Sequence, residues 1–222
     1  MKVRRLGRAD YVRTWHAMRE FTAQRGSETE DELWLVEHAP VFTLGQAGRP
    51  THLHAVTDIP LIATDRGGQI TYHGPGQVVA YPLIDLRRLG IYVKELVYRI
   101  EQAAMQTLAS LSVVSKRVAG APGVYVHWSQ STAPAPFDGL AKIAAIGIKV
   151  TNRGSYHGVA LNVAMDMQPF ALIDSCGYPG LPAIDLRTLD VAADVETVGT
   201  VLAERLQAHL GTSERSSGTL LA

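Results

Sequence analysis

Residues 142–150, KIAAIGIKV, and residues 155–164, SYHGVALNVA, decide the fold. The first is nearly continuous apolar sequence, as expected of a central strand covered on both faces. The second alternates Val159, Leu161 and Val163 onto one face, as expected of a half-buried strand. Working outward, further β-type runs occur at 33–37 (LWLVE), 42–44, 61–64, 70–73, 77–81 and 123–127 (GVYVH). Pro82 should limit how far the 77–81 strand can stay central, because proline lacks the N–H a ladder needs. Asp10 reads as an N-cap, and Tyr11, Trp15, Met18 and Phe21 recur at three- and four-residue steps, predicting a helix over 11–24. Val93, Leu96, Val97, Ile100, Ala104, Leu108 and Leu111 predict a second over roughly 92–111, and a third is expected over 194–210. Residues 129–138 (SQSTAPAPFD) read as an exposed loop, and residues 212–222 as a disordered tail. Strands dominate the middle and helices sit at intervals, so residues 1–211 read as one α+β domain with a mixed β-sheet packed with helices.

Composition narrows the function classes. The chain has 222 residues, 46% apolar and 19% charged, enough for a sizeable core. Basic and acidic residues balance at 21 each, so no overall field points to nucleic acid or a membrane surface. No window approaches a membrane span, and the basic N-terminal runs have no apolar stretch behind them, so a secretory signal is not expected. A single cysteine permits no internal disulfide and fits a reducing, cytoplasmic location.

That cysteine is the first chemical candidate. Cys176 lies in DSCGYPG (174–180), a loop punctuated by glycine and proline, where Gly177 would let a substrate approach closely. The competing reading is a buried structural thiol, since free cysteine is among the most buried residue types. A nucleophilic cysteine needs its thiolate, so a neighbouring cation or base is required. His73, His157, Lys142 and Lys149 are the candidates. Lys142 begins an apolar strand, although a strand-end lysine often snorkels to solvent. Lys149 lies an odd number of residues on, so only one of the two can face a given pocket.

Residues 66–77, RGGQITYHGPGQ, form the densest candidate binding stretch, with four glycines in twelve residues that could bring backbone N–H groups close to a ligand. The stretch could equally be a glycine-rich surface turn. Neither the phosphate-loop nor the dinucleotide-binding glycine pattern is present. Gly147 and Gly158 interrupt strands. Beside small alanines they could form a narrow apolar slot suited to an acyl chain, or be two ordinary bulges. His52 and His54 could share a strand face, but no cysteine or carboxylate set accompanies them, and no metal site is expected.

Taken in order, RGGQITYHGPGQVVAYPLIDLR from Arg66, then Lys142 to Gly147, His157 to Asn162 and Cys176-Gly177-Tyr178 resemble the signature blocks of the lipoyl(octanoyl) transferases, in register over residues 33–180. The resemblance implies a fold shared with biotin and lipoate protein ligases. It implies Cys176 as the acyl-thioester nucleophile and Lys142 as the group lowering its pKa. It implies an acyl site lined by Arg66, Gly67, Gly68, Gln69, Ile70, Thr71, Tyr72, His73, Ala145, Ile146, Gly147, His157, Gly158, Val159 and Ala160. The implied partners are octanoyl-acyl carrier protein as donor, and lipoyl domains of 2-oxoacid dehydrogenase complexes and the glycine cleavage H protein as acceptors. Thioester-to-amide transfer runs downhill, so no cofactor is implied. The alternatives are an ATP-dependent lipoate–protein ligase, a non-catalytic acyl- or lipoyl-domain-binding module, and a cysteine hydrolase.

Overall fold

The computed structural model describes residues 1–174 and 177–211. In chain order the strands are β1 (Lys2–Ala9), β2 (Glu32–His38), β3 (Val41–Leu44), β4 (Leu61–Ala63), β5 (Ile70–His73), β6 (Gln77–Leu83), β7 (Ser115–Val118), β8 (Ala121–His127), β9 (Leu140–Thr151) and β10 (Gly154–Asn162). The helices are α1 (Tyr11–Gln24), α2 (Leu86–Leu89), α3 (Val93–Ser110) and α4 (Val195–Leu210). Seven strands form one sheet in the order β1-β2-β6-β10-β9-β8-β7, and β4-β3-β5 form a second, smaller one. β1 runs parallel to β2 and β4 parallel to β3, while all other neighbours are antiparallel, so both sheets are mixed. No described helix is long and apolar enough to cross a membrane.

Two-residue alternation divides the large sheet's faces. On β6, Val78 and Ala80 pack with α3 and α4, against Leu96, Ile100, Leu108, Leu202 and Leu206. Val79 and Tyr81 point the other way, into a cluster with Met18 of α1 and Trp34. On β10, Val159 and Leu161 share the first face, while Tyr156 and Ala160 share the second. Every residue of β10 is therefore buried, and the half-exposed strand expected from 155–164 is corrected. The alternation is real, but both faces carry a layer. The helices start where their caps dictate: Asp10 accepts from the Arg13 N–H at 2.8 Å, and Asp194 from the Thr197 N–H at 2.8 Å.

Other expectations shift for physical reasons. β1 and β7 had no sequence signal because each is an edge strand whose side chains are largely exposed or half-exposed and polar. β6 continues through Pro82 in mid-sheet. It pairs with β2 past the proline, at Leu33↔Pro82 and Glu32↔Leu83, whereas the β10 ladder stops at Ala80↔Val159. The missing N–H thus falls where the ladder to β10 has already ended. β9 is buried only as far as Ala144 and half-buried from Ala145 onward, where a cavity replaces its covering layer. The 129–138 segment is mostly exposed, but Phe137 is fully buried against Tyr125, with ring centroids 5.3 Å apart. The tail expected to be disordered, 212–222, lies outside the described residues.

Gly158 lies just past the end of the β6–β10 ladder, close against β6. A Cβ there would lie 1.9 Å from the Ala80 carbonyl oxygen and 2.8 Å from Cδ of Pro82. Backbone cannot yield as a flexible side chain can, so Gly158→Ala should destabilise by about 3 kcal/mol or more and lower Tm by roughly 6–12 °C. Gly26→Ala, which meets nothing within 4 Å, should stay within about 0.5 kcal/mol of the parent. Equal melting temperatures for the two variants in calorimetry would contradict this packing account.

Candidate active site

Between the large sheet and the small one, beneath the start of α1, lies a narrow cavity, with about 50 Å³ accessible to the centre of a water-sized sphere. Its floor is sheet: Val79 and Tyr81 of β6, Lys142 and Ala144 to Gly147 of β9, and His157 to Ala160 of β10. The 66–69 loop and β5 supply the roof through Arg66, Gly68, Gln69, Ile70, Thr71 and His73. Gly158 and Gly147 stand directly opposite each other in an uninterrupted β10–β9 register, so neither is a bulge. Together with Ala144, Ala145 and Ala160 they leave a strip of floor almost without side chains.

Two residues expected at the acyl site do not line this cavity. Tyr72 packs instead between aromatic neighbours, its ring 5.5 Å from Phe42 and 5.4 Å from Phe170, centroid to centroid. Gly67 faces an adjoining groove with Val93, Val97 and Tyr178, its N–H donating to the Ile148 carbonyl at 2.9 Å. Arg66 lines the cavity, yet its guanidinium also braces the roof. It donates to the carbonyls of Thr43 (2.6 Å), Gly67 (3.0 Å) and Gln69 (2.7 Å) and to the Thr43 hydroxyl. His54 pairs with Asp174 at 2.9 Å, and His52 ends a single 3-10 turn, Pro50–His52, so the two histidines do not share a strand.

Lys142 is buried, with 4% of its surface exposed, and its Nζ donates to the Pro122 carbonyl at 3.0 Å and sits 5.3 Å from the Tyr125 ring centroid. It does not snorkel outward. Cys176 and Ser175 lie outside the described residues, but the chain on either side is placed. Asp174 donates its N–H to the His52 carbonyl, and Gly177 lies against the Gln69 carboxamide. Tyr178 stacks edge-on to Phe137 at 4.8 Å. Pro182 to Ile184 is stitched to β9 at Lys142 itself, through Lys142 N–H to Pro182 O (2.8 Å) and Ile184 N–H to Lys142 O (2.9 Å).

Beside the cavity lies a polar cluster. Asp65, not singled out from sequence, accepts from Trp15 Nε1 at 2.9 Å, His157 Nε2 at 3.1 Å and the Tyr156 hydroxyl. Successive strand residues normally face opposite sides. His157 takes a left-handed φ of 60°, which lets it and Tyr156 reach the same carboxylate. Burial would raise the Asp65 carboxyl, but hydrogen bonds from His157, Tyr156 and Trp15 outweigh it and hold the group well below the usual carboxylate range. Burial lowers His157 despite the Asp65 charge. The ring is then neutral with its proton on Nε2, leaving the lone pair on Nδ1. His38 donates from Nδ1 to the Ala9 carbonyl and accepts the Tyr81 hydroxyl at Nε2 (2.8 Å). His73 donates from Nδ1 to Gln77 Oε1 at 2.7 Å, while Gln77 Nε2 donates to Asn162 Oδ1 and the Tyr72 carbonyl.

Residues 10–207 match the family model of the lipoyl protein ligase A/B catalytic domain. Solved structures with the same fold include a bi-partite lipoate protein ligase from Thermoplasma acidophilum (TM-score 0.67, 14% identity, covering 95% of this chain and 84% of that one). A lipoate-protein ligase A bound with ATP is similar (TM-score 0.66, 15% identity, 95% and 86% covered). So is a biotin protein ligase from Aquifex aeolicus in complex with biotin and ATP (TM-score 0.58, 10% identity, 94% and 69% covered). The fold is shared with lipoate and biotin protein ligases, and the chain belongs to the lipoyl protein ligase A/B catalytic-domain family. Sequence is more specific. The chain is 54% identical over 215 residues to an octanoyltransferase of Variovorax paradoxus, covering 92% of this chain and 95% of that one. It is 53% identical over 220 residues to an octanoyltransferase of Methylibium petroleiphilum, covering 95% and 98%. The chain belongs to the octanoyltransferase family, and it is an enzyme.

The buried histidines make stability pH-dependent. Burial and the neighbouring His38 pull His73 from its ordinary value of 6.5 down to about 3. Between those values the unfolded chain binds a proton that the folded chain refuses. Stability is therefore full above pH 6.5 and falls as pH drops toward 3. His38 and His157, also lowered, act in the same direction, and Asp65 adds to it once the pH passes below the ordinary carboxylate range. Tm should fall between pH 7 and 4.5, and His73→Gln should flatten that slope by up to about 1.4 kcal/mol per pH unit. Parallel Tm-versus-pH curves for parent and variant would refute this assignment.

Proposed function

We propose that this enzyme moves an octanoyl group from octanoyl-acyl carrier protein to a specific lysine of lipoyl domains, through an acyl-thioester on Cys176. The observation that carries this reading is the buried Lys142 amine at the floor of an apolar slot, with the chain following Cys176 hydrogen-bonded to the Lys142 backbone. An ammonium beside the thiol favours the thiolate. The thiolate attacks the donor's thioester carbonyl, the C–S bond to the carrier's pantetheine breaks, and the departing thiolate takes a proton from Lys142. The acceptor lysine's neutral amine then attacks octanoyl-Cys176, the amide forms, and Cys176 leaves as thiolate. The amine's surplus proton passes to Lys142 or to Nδ1 of His157, which Asp65 orients. The glycine and alanine strip holds the acyl chain. Acceptors would be lipoyl domains of 2-oxoacid dehydrogenase complexes and the glycine cleavage H protein, in the cytoplasm, with no nucleotide consumed.

Intact-mass measurement on enzyme, octanoyl-acyl carrier protein and apo lipoyl domain, with and without ATP, tests the scheme. Parent enzyme should carry one octanoyl adduct and modify the lipoyl domain without ATP. Cys176→Ala should carry none, and Lys142→Ala should slow adduct formation at least 100-fold. Wild-type turnover by Cys176→Ala, or an absolute need for ATP, would reject it in favour of a ligase.

A further inference from the structure

Glu101 is a carboxylate set among the apolar residues of α3 that face the sheet, its side chain only 9% exposed. A buried carboxylate must be held by charge or by hydrogen bonds. One oxygen, Oε2, accepts from Arg117 Nε at 2.7 Å. The other, Oε1, accepts the backbone N–H of Gly123 at 3.0 Å. That N–H belongs to the same peptide unit whose carbonyl, on Pro122, accepts from Lys142 Nζ at 3.0 Å. A peptide unit is planar, so fixing its N–H fixes where its C=O points. A carboxylate on the N–H also draws electron density toward the carbonyl oxygen, strengthening its hold on an ammonium. The slot for the amine is shaped at the same residue. Gly123 has a φ of 141°, and a Cβ there would lie 2.4 Å from Lys142 Cε and 2.9 Å from Nζ.

We infer that Glu101 is a positioning residue: acting through the Pro122–Gly123 peptide, it fixes where the Lys142 amine is held. This rests on the proposed Cys176–Lys142 pair. Because Cys176 is the sole cysteine, the pH profile of its alkylation by iodoacetamide in the full-length enzyme reads the thiol alone, without substrates. Glu101→Ala removes the acceptor for the Gly123 N–H. Its profile should move upward by about one pH unit, toward that of Lys142→Ala, with kcat/KM for octanoyl transfer at least tenfold lower. Glu101→Gln keeps an oxygen acceptor and should restore most of both. Should the alanine chain not fold, Glu101→Asp, one methylene too short to reach Gly123, should give the same upward shift.

The direction of the shift discriminates. If the carboxylate acted only through its field, removing a negative charge would favour the thiolate and move the profile downward, which overturns the inference. So does a lowered Tm with an unmoved profile, the mark of a merely structural group. If Lys142→Ala moves the profile and neither Glu101 variant does, the inference fails and the Cys176–Lys142 pair stands. If Lys142→Ala itself leaves the profile in place, both fall.

Discussion

The double ladder of β10 is the constraint on which everything else hangs. β10 pairs with β9 through eight registered positions, from Gly154↔Thr151 to Leu161↔Ala144, and with β6 through four, from Val159↔Ala80 to Asn162↔Gln77. A strand with partners on both edges and layers on both faces has little freedom left. Residues it carries are held to fractions of an ångström by backbone rather than by side-chain packing. Gly158 and Gly147 lie within that ladder, so the flat strip under the cavity is a property of the sheet, not of a mobile loop. A one-residue slip would turn His157 away from Asp65 and put Val159 where glycine now makes room.

On this rigid floor the molecule keeps two environments apart. The glycine and alanine strip is almost wholly apolar. If the proposed octanoyl tail lies there, burying its seven carbons beyond the carbonyl is worth about 5 kcal/mol before ordering costs. Beside it lies a dense polar layer: His38, His73, Tyr81, His157, Asp65, Gln77 and Asn162. Such a layer is tolerable only because its members answer one another's hydrogen bonds. The histidines stay neutral as donor–acceptor links, and the single carboxylate among them collects three donors. The same low polarity that makes the slot attractive to an alkyl chain forces the polar layer into one protonation state.

How much of this was legible beforehand follows from where each signal lives. Periodicity located α1, α3 and α4 within a residue or two, because a helix that buries one stripe must repeat it. β9 and β10 were found because continuous or alternating apolar runs of that length have few other uses. β1 and β7 gave no signal, since edge strands owe their existence to backbone pairing. The glycine-rich 66–73 stretch and the small residues of β9 and β10 meet at one cavity, as the family resemblance implied, with Tyr72 and Gly67 excepted. Asp65, Glu101 and Gly123 escaped notice for a shared reason. Each acts on a residue far away in sequence, at separations of 92, 22 and roughly 20 positions, and no local pattern encodes such a contact.

The contrast between the two carboxylates that sequence reasoning missed says something about how such a site is kept in order. Asp65 touches its partners directly. Its carboxylate fixes the tautomer of His157 and takes the hydroxyl of Tyr156, and the strained φ at His157 is the local consequence of requiring both. Glu101 is one peptide removed from the amine it faces and is neutralised from behind by Arg117, at the edge of the helical layer. Direct contact between that carboxylate and Lys142 would make a closed ion pair, and the ammonium would be held by a partner that competes with a thiolate for its charge. Interposing a peptide carbonyl supplies direction without a full opposing charge. The amine stays anchored, yet its field remains available to whatever anion forms in the cavity.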